Sequence, residues 1–178
     1  MSSDATQVTR RWLEQVVIGL DLCPFAAREL AAERVRFAEC DAVEVDALLL
    51  FLATEVLSLA EDPATETTLL IFPLALSDFD DYLDFLALAQ VWLEDSGLDG
   101  TFQFASFHPH YCFEGCEPDD ASNYTNRSPF PVIHILREAS VEKAIASHPD
   151  PDMIPRRNIA LSNEKGSAFW QQLLDNLG

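Results

Sequence analysis

Positive charge is scarce in this chain. Of 178 residues only 11 are Lys or Arg, against 30 Asp and Glu, which leaves a net charge of −19. A sequence-independent grip on DNA or RNA needs clustered cations that displace counterions, and docking on anionic lipid headgroups needs them too; the composition argues against both. Long apolar runs are missing as well. The most apolar stretch, Val43 to Ala60, is interrupted by Glu44, Asp46 and Glu55. That suits a buried helix rather than a membrane span of ~20 apolar residues. The sequence opens without a basic segment followed by an apolar one, so a secretory signal is not expected. The four cysteines Cys23, Cys40, Cys112 and Cys116 then read as reduced thiols, and a cytoplasmic location follows as an expectation. There is no Gly-rich phosphate loop, no Gly-x-Ser-x-Gly elbow and no His-Glu-x-x-His, so no cofactor is expected from a motif.

What is present is an ordinary globular composition, 48% hydrophobic and 23% charged. The length favours one domain over residues 1–178, because ~150 residues is the usual unit and can bury enough surface without disulfides. Val8 to Leu20 has a helical period, interrupted by Gly19-Leu-Asp-Leu-Cys-Pro; Pro24 suits the first turn of a helix reaching about Glu33. Val35 to Cys40 alternates as a strand, and Asp41-Ala-Val-Glu opens a helix reaching about Ala60. Thr67 to Phe72 is a continuous apolar run of the kind covered on both faces. An acidic start at Ser77 leads a helix to Ser96, with Gly97 as its left-handed cap. Strands are expected at Phe102–Phe107 and Val132–Arg137, separated by a long polar segment from His108 to Pro129. Ser140 is placed to cap a short helix ending near Ser147, and a last helical region contains Trp170, Leu173 and Leu174. Helices alternating with strands predict an α/β fold, one mixed sheet of about four strands covered by helices. The direction of the fourth strand is left open.

Several segments together resemble a known family. They are Gly19-Leu-Asp-Leu-Cys-Pro-Phe-Ala, Phe102-Gln-Phe-Ala-Ser-Phe-His-Pro, Asn123-Tyr-Thr-Asn-Arg-Ser-Pro, His134-Ile-Leu-Arg-Glu-Ala-Ser and Arg157-Asn-Ile-Ala. The chain is similar over nearly its whole length to the uncharacterised bacterial family labelled domain of unknown function 1415. The resemblance implies a bacterial protein of one domain and brings no known activity with it, so chemistry must be read from the residues.

Cys23, just before Pro24, would be a helix N-cap whose surroundings favour the thiolate nucleophile; the alternative is a small buried side chain between Leu22 and Phe25. His108 ends the third strand, where ligands of open α/β sheets collect, and Asp119 or Asp120 could orient it as a general base. The plainer alternative is a ring that bonds a loop carbonyl. Asn123, Asn126 and Arg127 could hold an anionic group, or bond the loop to itself. His134 shares a strand face with Leu136, and Arg137 points the other way; both are candidates for substrate contact. His108, His110, Cys112 and Cys116 carry zinc-like ligands at an unfamiliar spacing, and only His108 belongs to the family segments, so no metal is expected. The first reading is therefore an enzyme acting on a small anionic molecule. The alternatives are a non-catalytic module binding an anion or a partner, and a metal-binding protein built on the His/Cys loop.

Overall fold

The computed structural model describes residues 4–178. Four strands, β1 (Val35–Glu39), β2 (Thr67–Ile71), β3 (Phe102–Phe107) and β4 (Val132–Arg137), form one sheet in the order β1-β2-β4-β3. β1 and β2 are parallel, whereas β4 runs antiparallel to both of its neighbours, which answers the question of its direction. The expected mixed α/β sheet is found. β2 is buried at every position, as suits an interior strand of β-branched and aliphatic residues.

One face is covered by α3 (Val45–Glu61) and α4 (Phe79–Asp95), the two helices that connect β1 to β2 and β2 to β3. Leu48, Leu52, Val56 and Leu59 recur at helical spacing on α3, and Tyr82, Phe85, Ala89 and Leu93 do so on α4. The Asp78 carboxylate caps α4 by accepting from the N–H groups of Asp80 and Asp81. Its other end closes at Gly97 (φ 68°), with Gly97 N–H on Glu94 O at 2.9 Å and Leu98 N–H on Leu93 O at 3.1 Å. The Tyr82 hydroxyl donates to Val132 O (2.8 Å) and accepts from Phe107 N–H (3.2 Å), which ties α4 to the ends of both strands; burial pushes this phenol upward from its usual range.

The other face is covered by α1 (Asp4–Trp12), by α6 (Met153–Lys165) and α7 (Ser167–Asp175), and partly by α2 (Ala26–Ala31) and α5 (Glu138–Ser147). Trp12, Val16 and Trp170 pack here on Leu69, Ile71 and Val132. α1 continues into a π-helical turn, Leu13–Ile18, whose wider bonds run from Gly19 N–H to Glu14 O (3.0 Å) and from Leu22 N–H to Val17 O (2.8 Å). A Cβ at position 19 would lie 2.3 Å from Gln15 O, so only glycine fits.

Four local expectations need correction. α3 is bounded by Glu44, which makes no side-chain cap bond, so Asp41 does not open it. α2 is only six residues long and its boundary residue is Phe25, so Cys23 sits in the preceding turn and is not an N-cap. Its carbonyl accepts from Ala26 N–H at 3.4 Å. α5 starts at Glu138 directly from β4, without a cap from Ser140. The last helical region is two helices, α6 and α7, broken at Gly166 (φ 77°). Replacing Gly19 by Ala is expected to lower stability by roughly 2–3 kcal/mol, because the carbonyl it would strike is held in the π-turn; urea unfolding measures it.

Candidate functional site

The long segment between β3 and β4 contains most of the polar candidates, and the structure engages nearly all of them within the loop. His108 has no exposed surface. Its Nδ1 accepts from His110 N–H at 3.0 Å, which leaves Nε2 as the donor to Leu76 O at 2.9 Å. The rings of Phe79 and Tyr82 lie 5.1 Å away on the α4 side, and burial chiefly holds the imidazole below its ordinary pKa. Leu76, the acceptor, has a left-handed backbone (φ 59°), so this ring clamps an unfavourable turn. Asn123 is fully buried; Oδ1 accepts from Phe113 N–H (2.9 Å) and Nδ2 donates to Glu117 O (2.8 Å). Asn126 Nδ2 donates to Ser106 O at 3.1 Å. The Asp120 carboxylate caps a 3-10 turn, Ala121–Asn126, by accepting from Ser122 N–H at 2.8 Å, and that bond holds it below the usual carboxylate range.

Among the described residues Arg127 bonds no carboxylate. Nε donates to Tyr111 O (3.2 Å), Nη2 donates to Pro118 O (2.7 Å), and the guanidinium lies 4.2 Å over the Tyr124 ring. It lines a shallow cavity with Asp119, Tyr124 and Gln171. Cys112 and Cys116 point at different partners, Cys116 O at 3.4 Å and Ser122 Oγ at 3.9 Å. Among the described residues no group of three or more His, Cys, Asp or Glu side chains converges as a metal site would require.

Cys23 and His134 meet on the opposite face of the sheet. Pairing sets His134 between Leu69 of β2 and Ala105 of β3, with Phe107 beside it at 6.5 Å between ring centroids. A cavity of about 330 Å³ opens here beneath α2 and α5. Its walls are mainly apolar, with Leu13, Val35, Leu69, Phe107, Leu136 and Val141 among them. Cys23, Thr67, His134 and Glu29 are among its polar groups. The Thr67 hydroxyl donates to Ile135 O at 2.5 Å, so the oxygen, 2.6 Å from His134 Nε2, must accept there. Nε2 therefore holds the proton, and Nδ1 is left as an acceptor with no protein partner among the described residues. Burial pushes the His134 pKa down to about 4, so the ring is neutral at neutral pH.

Charge around this cavity is already matched. Glu29 and Glu66 face Arg34 at 3.1 and 2.5 Å, the former as an ion pair without hydrogen-bond alignment. Arg137 Nη2 reaches the carbonyls of Leu59 (2.6 Å), Asp62 (3.0 Å) and Thr65 (3.1 Å), closing the end of α3. Arg36 is paired with Glu55 (2.7 Å) and Arg157 with Asp21 (2.6 Å).

Cys23, His108 and Arg127, the candidates for nucleophile, base and anion contact, do not share one cleft. His108 packs toward α4 on one face, His134 and Cys23 lie on the other, and Arg127 borders a separate shallow cavity. Nor does Arg127 share a cleft with Arg36, Arg137 or Arg157 around His108. Thr67 is not marked in the sequence because its partner His134 is 67 residues away along the chain, and no motif singles out Glu29. Asn158, in the Arg157-Asn-Ile-Ala segment, has a structural role. It donates to Leu22 O at 2.7 Å while Arg157 grips Asp21, a non-glycine residue at φ 54°; α6 thereby holds the turn that carries Cys23.

Residues 4–172 match the family described as a protein of unknown function (DUF1415). No curated protein and no solved structure matches the chain.

Two outcomes follow from this geometry. His134 is depressed in the folded state, so its contribution to stability is complete above about pH 6.5 and is lost as pH falls toward 4. The full span is about 3 kcal/mol. Urea unfolding of His134→Gln at pH 7 and pH 4.5, set against wild type, should show a smaller acid-induced loss in the variant. Arg127→Lys should lower stability by about 1–2 kcal/mol by removing two carbonyl bonds and a ring contact. Phosphate should then shift the melting temperature of variant and wild type no differently from chloride at equal ionic strength.

Proposed function

The chain belongs to the DUF1415 family, and we propose that it binds a small, neutral, mainly apolar molecule in the cavity between Cys23, Thr67 and His134. The observation that carries this reading is the open Nδ1 of a neutral imidazole in a mainly apolar chamber. Such a chamber, with few fixed polar groups, is the usual form of a small-molecule site. Nδ1 accepts a hydrogen bond from a hydroxyl or amide, and the aliphatic walls cover the remainder of the ligand. An anion would meet Glu29 and Glu66 in the wall and no uncommitted cation, within a protein of net charge −19. Binding is also favoured over nucleophilic catalysis by Cys23. Burial leaves His134 with a pKa of about 4, which makes it a poor base for activating a thiol at neutral pH.

Octanol and octanoate, equal in chain length and opposite in charge, separate the alternatives. Octanol at ten times its dissociation constant should raise the melting temperature by about 3–6 °C. Octanoate should do less, and Ala144→Trp, which fills the chamber from α5, should abolish the octanol shift. Stronger binding of octanoate, or no binding of either, would refute the proposal.

A further inference from the structure

Cys23 and Phe107 line a second cavity as well, of about 370 Å³, whose walls include Phe113, Pro155 and Ile159. Resting on the reading above, we infer that the two cavities are chambers of one site, and that its ligand is a neutral molecule with an apolar part and a carboxamide-like head bearing N–H donors.

The second chamber differs from the first in its polar wall, formed by Thr125, Asn126 and Asn158. The donors of this wall are engaged. Asn158 Nδ2 donates to Leu22 O at 2.7 Å, Asn126 Nδ2 to Ser106 O at 3.1 Å, and the Thr125 hydroxyl to Ser122 O at 2.9 Å. The acceptors are under-used. Asn158 Oδ1 is without a hydrogen bond, and Asn126 Oδ1 receives only a long contact from Thr125 at 3.3 Å. A wall rich in spare acceptors selects a ligand that donates. No carboxylate lines this chamber, so an ammonium would lose hydration without an opposite charge to replace it, whereas amide N–H groups would not. The thiol of Cys23, with no protein partner among the described residues, stands at the junction, where its weak S–H can meet the head's carbonyl oxygen. The apolar part then extends past Phe107 into the first chamber, where a hydroxyl at its far end meets His134 Nδ1.

Calorimetric titration of the full chain at pH 7 with octanol, octanamide and octylamine tests this. Octanamide should bind at least tenfold more tightly than octanol. Ile159→Trp, on the solvent side of α6, should block the second chamber and bring octanamide to the affinity of octanol without changing the latter. If that variant melts lower by itself, Ile154→Phe supplies the same block. Equal affinities of octanamide and octanol in the wild type would overturn the two-chamber inference while leaving the first chamber's binding intact. Octylamine binding most tightly would overturn the neutral head. Failure of all three to bind would remove the first reading and this one together.

Discussion

The insertion of β4 between β2 and β3 is the constraint from which the rest of the structure follows. Val132 pairs with Ile71 on one side and Phe107 on the other, so the chain leaving β3 has to return beside it in the opposite direction. Antiparallel neighbours can be joined by a two-residue turn. Here residues 108–131 make the connection, far more chain than the topology requires. That excess folds back as a small subassembly. Its 3-10 turn packs on α6, and α6 in turn grips the turn that carries Cys23. The same insertion fixes His134 in the middle of the sheet, on the face that α1, α2 and α5 cover incompletely.

The polar density of the loop is explained by this folding back. A connection that is mostly half-buried, with Ser122, Asn123 and Tyr124 buried, must satisfy its own N–H and C=O groups there, and side chains are the nearest partners available. Asn123 serves Phe113 and Glu117, Asn126 serves Ser106, Asp120 serves Ser122, and Arg127 serves Tyr111 and Pro118. Each is a type of residue that recognises ligands elsewhere, yet here each bonds the loop or the adjoining strand. His108 belongs to the same set, because both ring nitrogens hold backbone groups.

Much of the fold was legible because its signals are local. The β-branched and aliphatic run of β2, the Asp78 cap and the Gly97 stop of α4 each follow from residues within one turn of each other. Parity along β4 correctly put His134 and Leu136 on one face. The candidate site was less legible because its bonds are long-range. Nothing near Thr67 announces His134, and whether His108 or His134 shares a cavity with Cys23 depends on which sheet face each side chain takes. Pro24 suggested a helix start that made Cys23 a cap. The chain instead delays helix formation to Ala26 and uses Cys23 in the turn between the π-helical segment and α2.

The central claim is that ligand chemistry belongs to the His134 face and that His108 is structural. Selective ¹⁵N labelling of histidine, with imidazole resonances followed at pH 7 as octanol is added, tests it most directly. The account predicts a neutral His134 protonated on Nε2 whose Nδ1 resonance moves on titration, while the resonances of His108 stay fixed. Movement of His108 with a stationary or charged His134 would contradict it.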